Sequence, residues 1–311
     1  MMLIPFVSEL EGEALDRWRH CLAAALPDDE VVAWSTNVPV AGVEIAIVAN
    51  PPRHVLAALP NLRFVQSAWA GVDSLLSDPT LPDVPIARLV DPMLAADMAE
   101  AVLGHVMALH RRNAQYRSLQ ERGEWKPLNQ PRAAMRTVGI LGMGEMGAAT
   151  AGLLRKVGFE VAGWSRSGRT PLEIAMFSGE DGFAALLERS QILVNLLPLT
   201  PDTRGILDAA AFALMPSGAA LVNVGRGAHV VIADLLAALD AGALSHAVLD
   251  VFSVEPLPGD DPLWQRRDVT ITPHVAAPTD PASASRQIAL NIARYRTGKA
   301  PLGLVSRIRG Y

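Results

Sequence analysis

The sequence predicts an α/β protein of two doubly wound parallel-sheet lobes. Three observations lead there. The length, 311 residues, suggests two domains, because domains usually run about 100–200 residues. Short β-type apolar runs alternate with helical or Pro-rich connections, which is the rhythm of parallel sheets. That rhythm breaks once, at a long amphipathic stretch after Pro92, and restarts at Thr137.

In the first lobe, β-type runs fall at residues 3–7, 31–34, 45–48, 63–67 and 86–89. A helix is expected over 93–112, where Leu94, Met98, Val102 and Val106 recur at helical spacing. Asp91 before Pro92 is its start signal. Residues 123–136 hold Gly, two Pro and scattered charge, and read as a loop. Six further strands are expected at 138–141, 161–164, 192–196, 220–224, 247–251 and 269–272, with helices between most of them. A closing helix over 282–295 is expected to return to the first lobe and make it discontinuous. The expected domains are therefore 1–97 with 281–311, and 98–280.

Composition narrows the function classes. Half of the residues are hydrophobic and 19% are charged, enough apolar content for a large core. A net charge of −5 and a pI near 5.8 argue against a nucleic-acid footprint. The single cysteine, Cys21, forms no internal disulfide and builds no Cys-rich metal site. No metal site is expected. No apolar stretch is expected to reach the ~18 residues of a membrane span. Residues 1–7 read as a first strand rather than a signal peptide, followed at once by Glu9, Glu11 and Glu13. A cytoplasmic protein without a membrane partner is the expectation.

The densest signal is VGILGMGEMGAATAG, in which Gly142, Gly144 and Gly147 follow an apolar strand and open a helix. In that context a GxGxxG spacing marks a dinucleotide site. The first glycine allows a tight turn, the second lets a pyrophosphate approach the backbone, and the third lets helix and strand pack closely. Met143, Glu145 and Met146 complete the loop, whose helix N-terminus offers N–H groups to phosphate. A ligand-free glycine turn is the bland alternative. An acid on the ribose would favour NAD, but the next strand ends Gly163-Trp164-Ser165-Arg166-Ser167. Ser165 can donate a hydrogen bond and Arg166 can pair with a 2′-phosphate, with Arg169 assisting. NADP is thus expected, NADPH being preferred and NAD possible.

Three more segments lie at expected strand ends: NVGRG (223–227), DVFSVEP (250–256) and TPHVAA (272–277). Together with SAWAGVDSLL (67–76) they resemble the D-isomer-specific 2-hydroxyacid dehydrogenases over essentially the whole chain. The segments GWSRS, VNLLPLTPDTRGIL, ALVNVGRGAHVV, LDVFSVEPLP, LWQRRDVTITPHVAAPT and the terminal RGY resemble most the glyoxylate/hydroxypyruvate reductase A branch. The resemblance implies a Rossmann-like cofactor domain, a flavodoxin-like substrate domain, an active site in the cleft between them and a homodimer built on the helix from Met93. It implies that Arg226, Glu255 and His274 are catalytic and that backbone N–H groups of Ala70, Gly71 and Val72 bind the substrate carboxylate. Asp250 would meet the nicotinamide carboxamide, with Leu197, Pro198, Val224 and Gly225 along the cofactor. Trp69, where relatives often have a small residue, either narrows the substrate pocket or fills core space.

The residue types suit reduction of a 2-oxo acid. A guanidinium offers a fork of donors for a carboxylate and a carbonyl. An imidazole supplies a proton to the oxygen as hydride reaches carbon, and a carboxylate on the other ring nitrogen favours its charged form. The remaining histidines, His20, His54, His105, His110, His229 and His246, read as structural. Rival readings are a dehydrogenase for a larger or phosphoglycerate-type 2-oxo acid, a nucleotide-sensing binding protein, and an S-adenosylmethionine enzyme. The chain ends soon after the closing helix, so no appended regulatory domain is expected.

Overall fold

The computed structural model describes residues 1–311 except Thr36. The chain divides into two compact units, Met1–Met93 with Thr279–Tyr311, and Leu94–Pro278.

The first unit begins with β1 (Leu3–Ser8), α1 (Gly12–Ala25), β2 (Glu30–Ala33), β3 (Ile45–Ala49), β4 (Phe64–Ser67), α2 (Asp73–Leu76) and β5 (Ile86–Ala87). Its strands pair in parallel in the order β2-β1-β3-β4-β5. Every residue of β3 is buried, as expected of a central parallel strand covered on both faces. Val7, Val48, Val65 and Ile86 meet in one core cluster.

Next comes α3 (Pro92–His110), whose start is tied by the Met93 N–H donating to Asp91 Oδ1 at 3.0 Å. Contrary to the expectation from the sequence, its 19 residues at a mean hydropathy of 1.2 are long and apolar enough to cross a membrane. Its apolar face has a partner within the protein: Met98, Val102 and Val106 pack with Val138, Ile140 and Val194 in the core of the second unit. The helix also carries Asp97 and Glu100. The helix expected over 93–112 ends at His110, and a second helix that was not expected follows it. Arg112 adopts a left-handed backbone, φ +59°, and α4 (Asn113–Glu121) starts after it. No glycine or proline marks that break.

The second unit continues with β6 (Thr137–Leu141), α5 (Glu145–Val157), β7 (Glu160–Trp164), β8 (Ala175–Phe177), α6 (Gly179–Arg189), β9 (Ile192–Asn195), α7 (Ala209–Leu214), β10 (Ala219–Asn223), α8 (Ile232–Asp240), β11 (Leu244–Leu249) and β12 (Val269–Ile271). The sheet is parallel throughout, ordered β12-β11-β10-β9-β6-β7-β8. It has seven strands where six were expected; the extra one, β8, is a three-residue edge strand. Winding runs outward from β6 through β7 to β8, then returns to β9 and runs the other way. The carboxyl ends of β6 and β9 therefore meet at a topological switch point, where open α/β sheets bind ligands.

Last comes α9 (Pro281–Arg296), capped by Asp280, which accepts the Ser283 N–H at 2.8 Å. Pro281 suits the first turn, where no N–H is needed. The helix belongs to the first unit: Asn291 Nδ2 donates to Gln66 Oε1 at 2.9 Å, both residues being buried, and Ser283 Oγ donates to Asp91 Oδ2 at 2.7 Å. Arg296 grips Asp29 with two bonds of 2.7 and 2.9 Å.

Candidate active site

The glycine loop leaves β6 at the switch point. Gly142 has φ +95°, and a β-carbon there would stand 2.6 Å from the Leu196 carbonyl oxygen. One on Gly147 would overlap the Gly142 carbonyl oxygen. These two glycines are needed by the protein's own packing. Gly144 differs: a β-carbon would meet no protein atom within 4 Å. It is also the N-cap of α5 and has no side chain to cap the helix, so no N-cap side chain takes up the first-turn N–H groups of α5. That combination fits a pyrophosphate on the helix N-terminus. Met143 is buried against Gly163 of β7, where a β-carbon would stand 2.6 Å from its Cγ; its part in the loop is packing.

After β7 the chain turns through Ser165 and Arg166. The Ser165 N–H donates to the Phe177 carbonyl of β8 at 3.1 Å, so the unforeseen edge strand holds this turn. Arg166 and Arg169 are exposed. No acid stands at the end of β7, which suits a 2′-phosphate better than a bare ribose.

After β9 and β10 come Leu197, Pro198, Val224, Gly225 and Arg226. Leu197 and Val224 are buried. Arg226 Nη1 donates to the Gly225 carbonyl at 2.8 Å. A β-carbon on Gly227 would overlap the main chain of Phe252 and Ser253. That glycine lets the Arg226 turn lie against the segment leading to Glu255.

Glu255 accepts the Phe252 N–H on Oε1 at 2.8 Å and pairs through Oε2 with His274 Nδ1 at 2.7 Å. The dyad is open to solvent, with side-chain exposures of 36% and 52%. His274 has φ +52°. Its turn is held by Asp250, which is 1% exposed. The Asp250 carboxylate accepts from Thr272 Oγ1 at 2.6 Å and from the N–H groups of Val275 and Ala276 at 3.0 and 3.1 Å; its carbonyl accepts the His274 N–H at 2.8 Å. Glu255 orients the ring so that Nε2 is the nitrogen presented to a ligand. His105 of α3 feels the Asp250 charge, yet burial outweighs it and lowers the His105 pKa.

All these residues follow the carboxyl ends of parallel strands and so share one edge of the sheet. In the first unit, Trp69, Ala70, Gly71 and Val72 link β4 to α2. The Trp69 ring packs edge to face on buried Trp18 at 5.6 Å and is itself half-buried. Among the described residues no group of three or more His, Cys, Asp or Glu is arranged to hold a metal.

Sequence reasoning missed Asp250 as the anchor of the His274 turn. It also missed three polar side chains behind Arg226: Asn195, Asn223 and His229, all fully buried. The signal was present. Asn195 and Asn223 end apolar strands, where a buried polar group demands partners.

Residues 103–276 match the model of the D-isomer-specific 2-hydroxyacid dehydrogenase NAD-binding domain. The glyoxylate/hydroxypyruvate reductase A of Serratia proteamaculans is 42% identical over 302 residues, 95% of this chain and 96% of that protein. A D-isomer-specific 2-hydroxyacid dehydrogenase from Xanthobacter autotrophicus, solved with NADPH and MES, superposes with a TM-score of 0.95 at 38% identity, covering 100% of this chain and 99% of that one. The NADPH-dependent glyoxylate/hydroxypyruvate reductase of Sinorhizobium meliloti, solved with NADP and sulfate, gives 0.93 at 36% identity with 100% of both chains covered. With the glycine loop, the Glu255–His274 pair and Arg226 on one sheet edge, the chain belongs to the D-isomer-specific 2-hydroxyacid dehydrogenase family.

Proposed function

We propose that this protein reduces small 2-oxo acids, glyoxylate or hydroxypyruvate, to the 2-hydroxy acids with NADPH. The observation that carries the reading is the 2.7 Å pair of His274 and Glu255 on the sheet edge that also bears the glycine loop and Arg226. NADPH supplies the hydride when bound. Its pyrophosphate is assigned to the loop of Gly142, Gly144 and Gly147, where the open space at Gly144 and the uncapped α5 support the fit. Its 2′-phosphate is assigned to Ser165 and Arg166; NADH remains a weaker alternative donor.

The chain's own residues do the rest. Arg226 binds the oxo acid by carboxylate and carbonyl and stabilises the oxyanion that develops. His274 holds a proton on Nε2 and gives it to that oxygen. Glu255 keeps Nδ1 protonated and the ring aimed. N–H groups of Ala70, Gly71 and Val72 are assigned the substrate carboxylate. Asp250 is assigned the cofactor carboxamide, beside its support of the His274 turn.

The same reading makes the first unit flavodoxin-like, supported by its 2-1-3-4-5 strand order. It includes a homodimer built on the helix from Met93, whose first methionine is 56% exposed. A panel of 2-oxo acids assayed with NADPH and NADH tests the function. Fast NADPH loss with glyoxylate or hydroxypyruvate is expected, and turnover confined to a large 2-oxo acid or to NADH would refute the reading.

A further inference from the structure

Behind Arg226 the structure buries three polar side chains completely, at the ends of β9 and β10 and in the turn beyond: Asn195, Asn223 and His229. Buried polar groups are costly unless bonded, and here the bonds determine each other's orientation. Asn195 Oδ1 accepts the Leu197 N–H at 3.2 Å, so its Nδ2 faces Asn223 Oδ1 at 2.9 Å and His229 Nδ1 at 2.8 Å. Asn223 Oδ1 also accepts the Gly225 N–H at 3.3 Å, and its Nδ2 donates to the Arg226 carbonyl at 3.0 Å. The Arg226 N–H points at His229 Nδ1, 3.2 Å away. Two donors therefore converge on Nδ1, which must carry a lone pair. The ring hydrogen sits on Nε2 and faces the Pro198 carbonyl at 3.3 Å.

We propose that His229, as the neutral Nε2–H imidazole, is a positioning residue that joins the two halves of the site: Nδ1 fixes the main chain of Arg226, and Nε2 fixes the Leu197–Pro198 turn. Main-chain N–H and C=O of Arg226 are then both held, by His229 and Asn223, and its guanidinium extends from a rigid base. The space is full. A β-carbon on Gly225 would stand 3.1 Å from Asn195 Nδ2 and 3.2 Å from His229 Nδ1, so the Arg226 turn cannot settle elsewhere without breaking the cluster. This inference rests on the proposed role of Arg226 in binding the oxo acid.

Two polar variants separate the functions of the ring. In His229→Asn the side-chain oxygen replaces Nδ1 and the bond to Pro198 is lost. In His229→Gln the amide replaces Nε2 and the acceptor for Arg226 is lost. The Gln variant is expected to lose ~10-fold or more in kcat/KM for the oxo acid at unchanged NADPH affinity. The Asn variant is expected to keep the oxo-acid parameters and to show a raised KM for NADPH. Retention of oxo-acid kcat/KM by His229→Gln, or parallel losses of both parameters in both variants, overturns the proposal. Nitrogen NMR of the histidine rings reads the tautomer directly. One neutral ring with its proton on Nε2, assigned by its loss in His229→Asn, is expected near neutral pH, and an imidazolium or an Nδ1–H form overturns it. Arg226→Lys keeps the two levels apart. Full activity in that variant sinks the Arg226 reading itself, whereas loss there with none in His229→Gln sinks the positioning role alone.

Discussion

Gly227 lies so close to Phe252 that any β-carbon at residue 227 would overlap the Phe252 main chain. The Phe252 N–H in turn donates to Glu255, so one missing side chain links the turn of Arg226 to the carboxylate that orients His274. Because the obstacle is backbone rather than a flexible side chain, relief requires one turn to move. Gly227→Ala is expected to cost about 1–3 kcal/mol of stability, as overpacking does, and to lower kcat with it. Urea denaturation and steady-state kinetics check this; wild-type values in both would mean the approach is slack.

Asp250 is the anchor of the His274 turn. Its carboxylate takes one hydroxyl and two N–H groups, and its carbonyl takes the His274 N–H. Asp250→Asn sets an amide against those donors, and charge-assisted bonds of this kind are worth about 1.5–3 kcal/mol each. The expected result is a kcat lowered by ~10-fold or more. An unchanged kcat in an Asp250→Asn enzyme would show that the turn stands without the carboxylate.

Arg166 tests the cofactor assignment. Removing a charged partner of the 2′-phosphate, at about 1.5–3 kcal/mol, is expected to raise the KM for NADPH roughly 10- to 100-fold in Arg166→Ala. The KM for NADH should stay where it was. If discrimination between the two cofactors survives the substitution, selectivity resides elsewhere in the loop.

How far the sequence foretells these relations depends on the kind of information each needs. The glycine loop, the strands ending in Asn195 and Asn223 and the strand leading to Asp250 are legible because a local pattern, apolar run then turn, suffices. The edge strand β8 is not, since three residues carry no periodicity and its pairing with β7 is a tertiary choice. The split between α3 and α4 is hidden because Arg112 takes a left-handed backbone with no glycine to announce it. The orientation of Trp69 depends on Trp18, a partner on a distant helix. His229 sits in a short GAHV turn that looks structural until Asn195 and Asn223 are seen to surround it.

Asp29 gives a test of fold stability apart from chemistry. The Arg296 guanidinium holds its carboxyl below the usual range, with the Met2 N–H assisting and burial opposing. A folded-state pKa below the unfolded value of about 3.9 means stability present above that value and lost as pH falls through the folded pKa. Asp29→Asn is expected to be less stable than wild type by about 1.5–3 kcal/mol near neutrality. The gap should close on acidification below about pH 4. A gap that is absent at neutral pH, or that persists in acid, would contradict the role given to this pair.

The most direct measurement is turnover of glyoxylate and hydroxypyruvate with NADPH by His274→Ala, alongside NADPH binding to the same variant. A proton donor at Nε2 requires turnover to fall ~10²–10⁴-fold while NADPH affinity is kept. Near-normal reduction by His274→Ala would contradict the account at its centre.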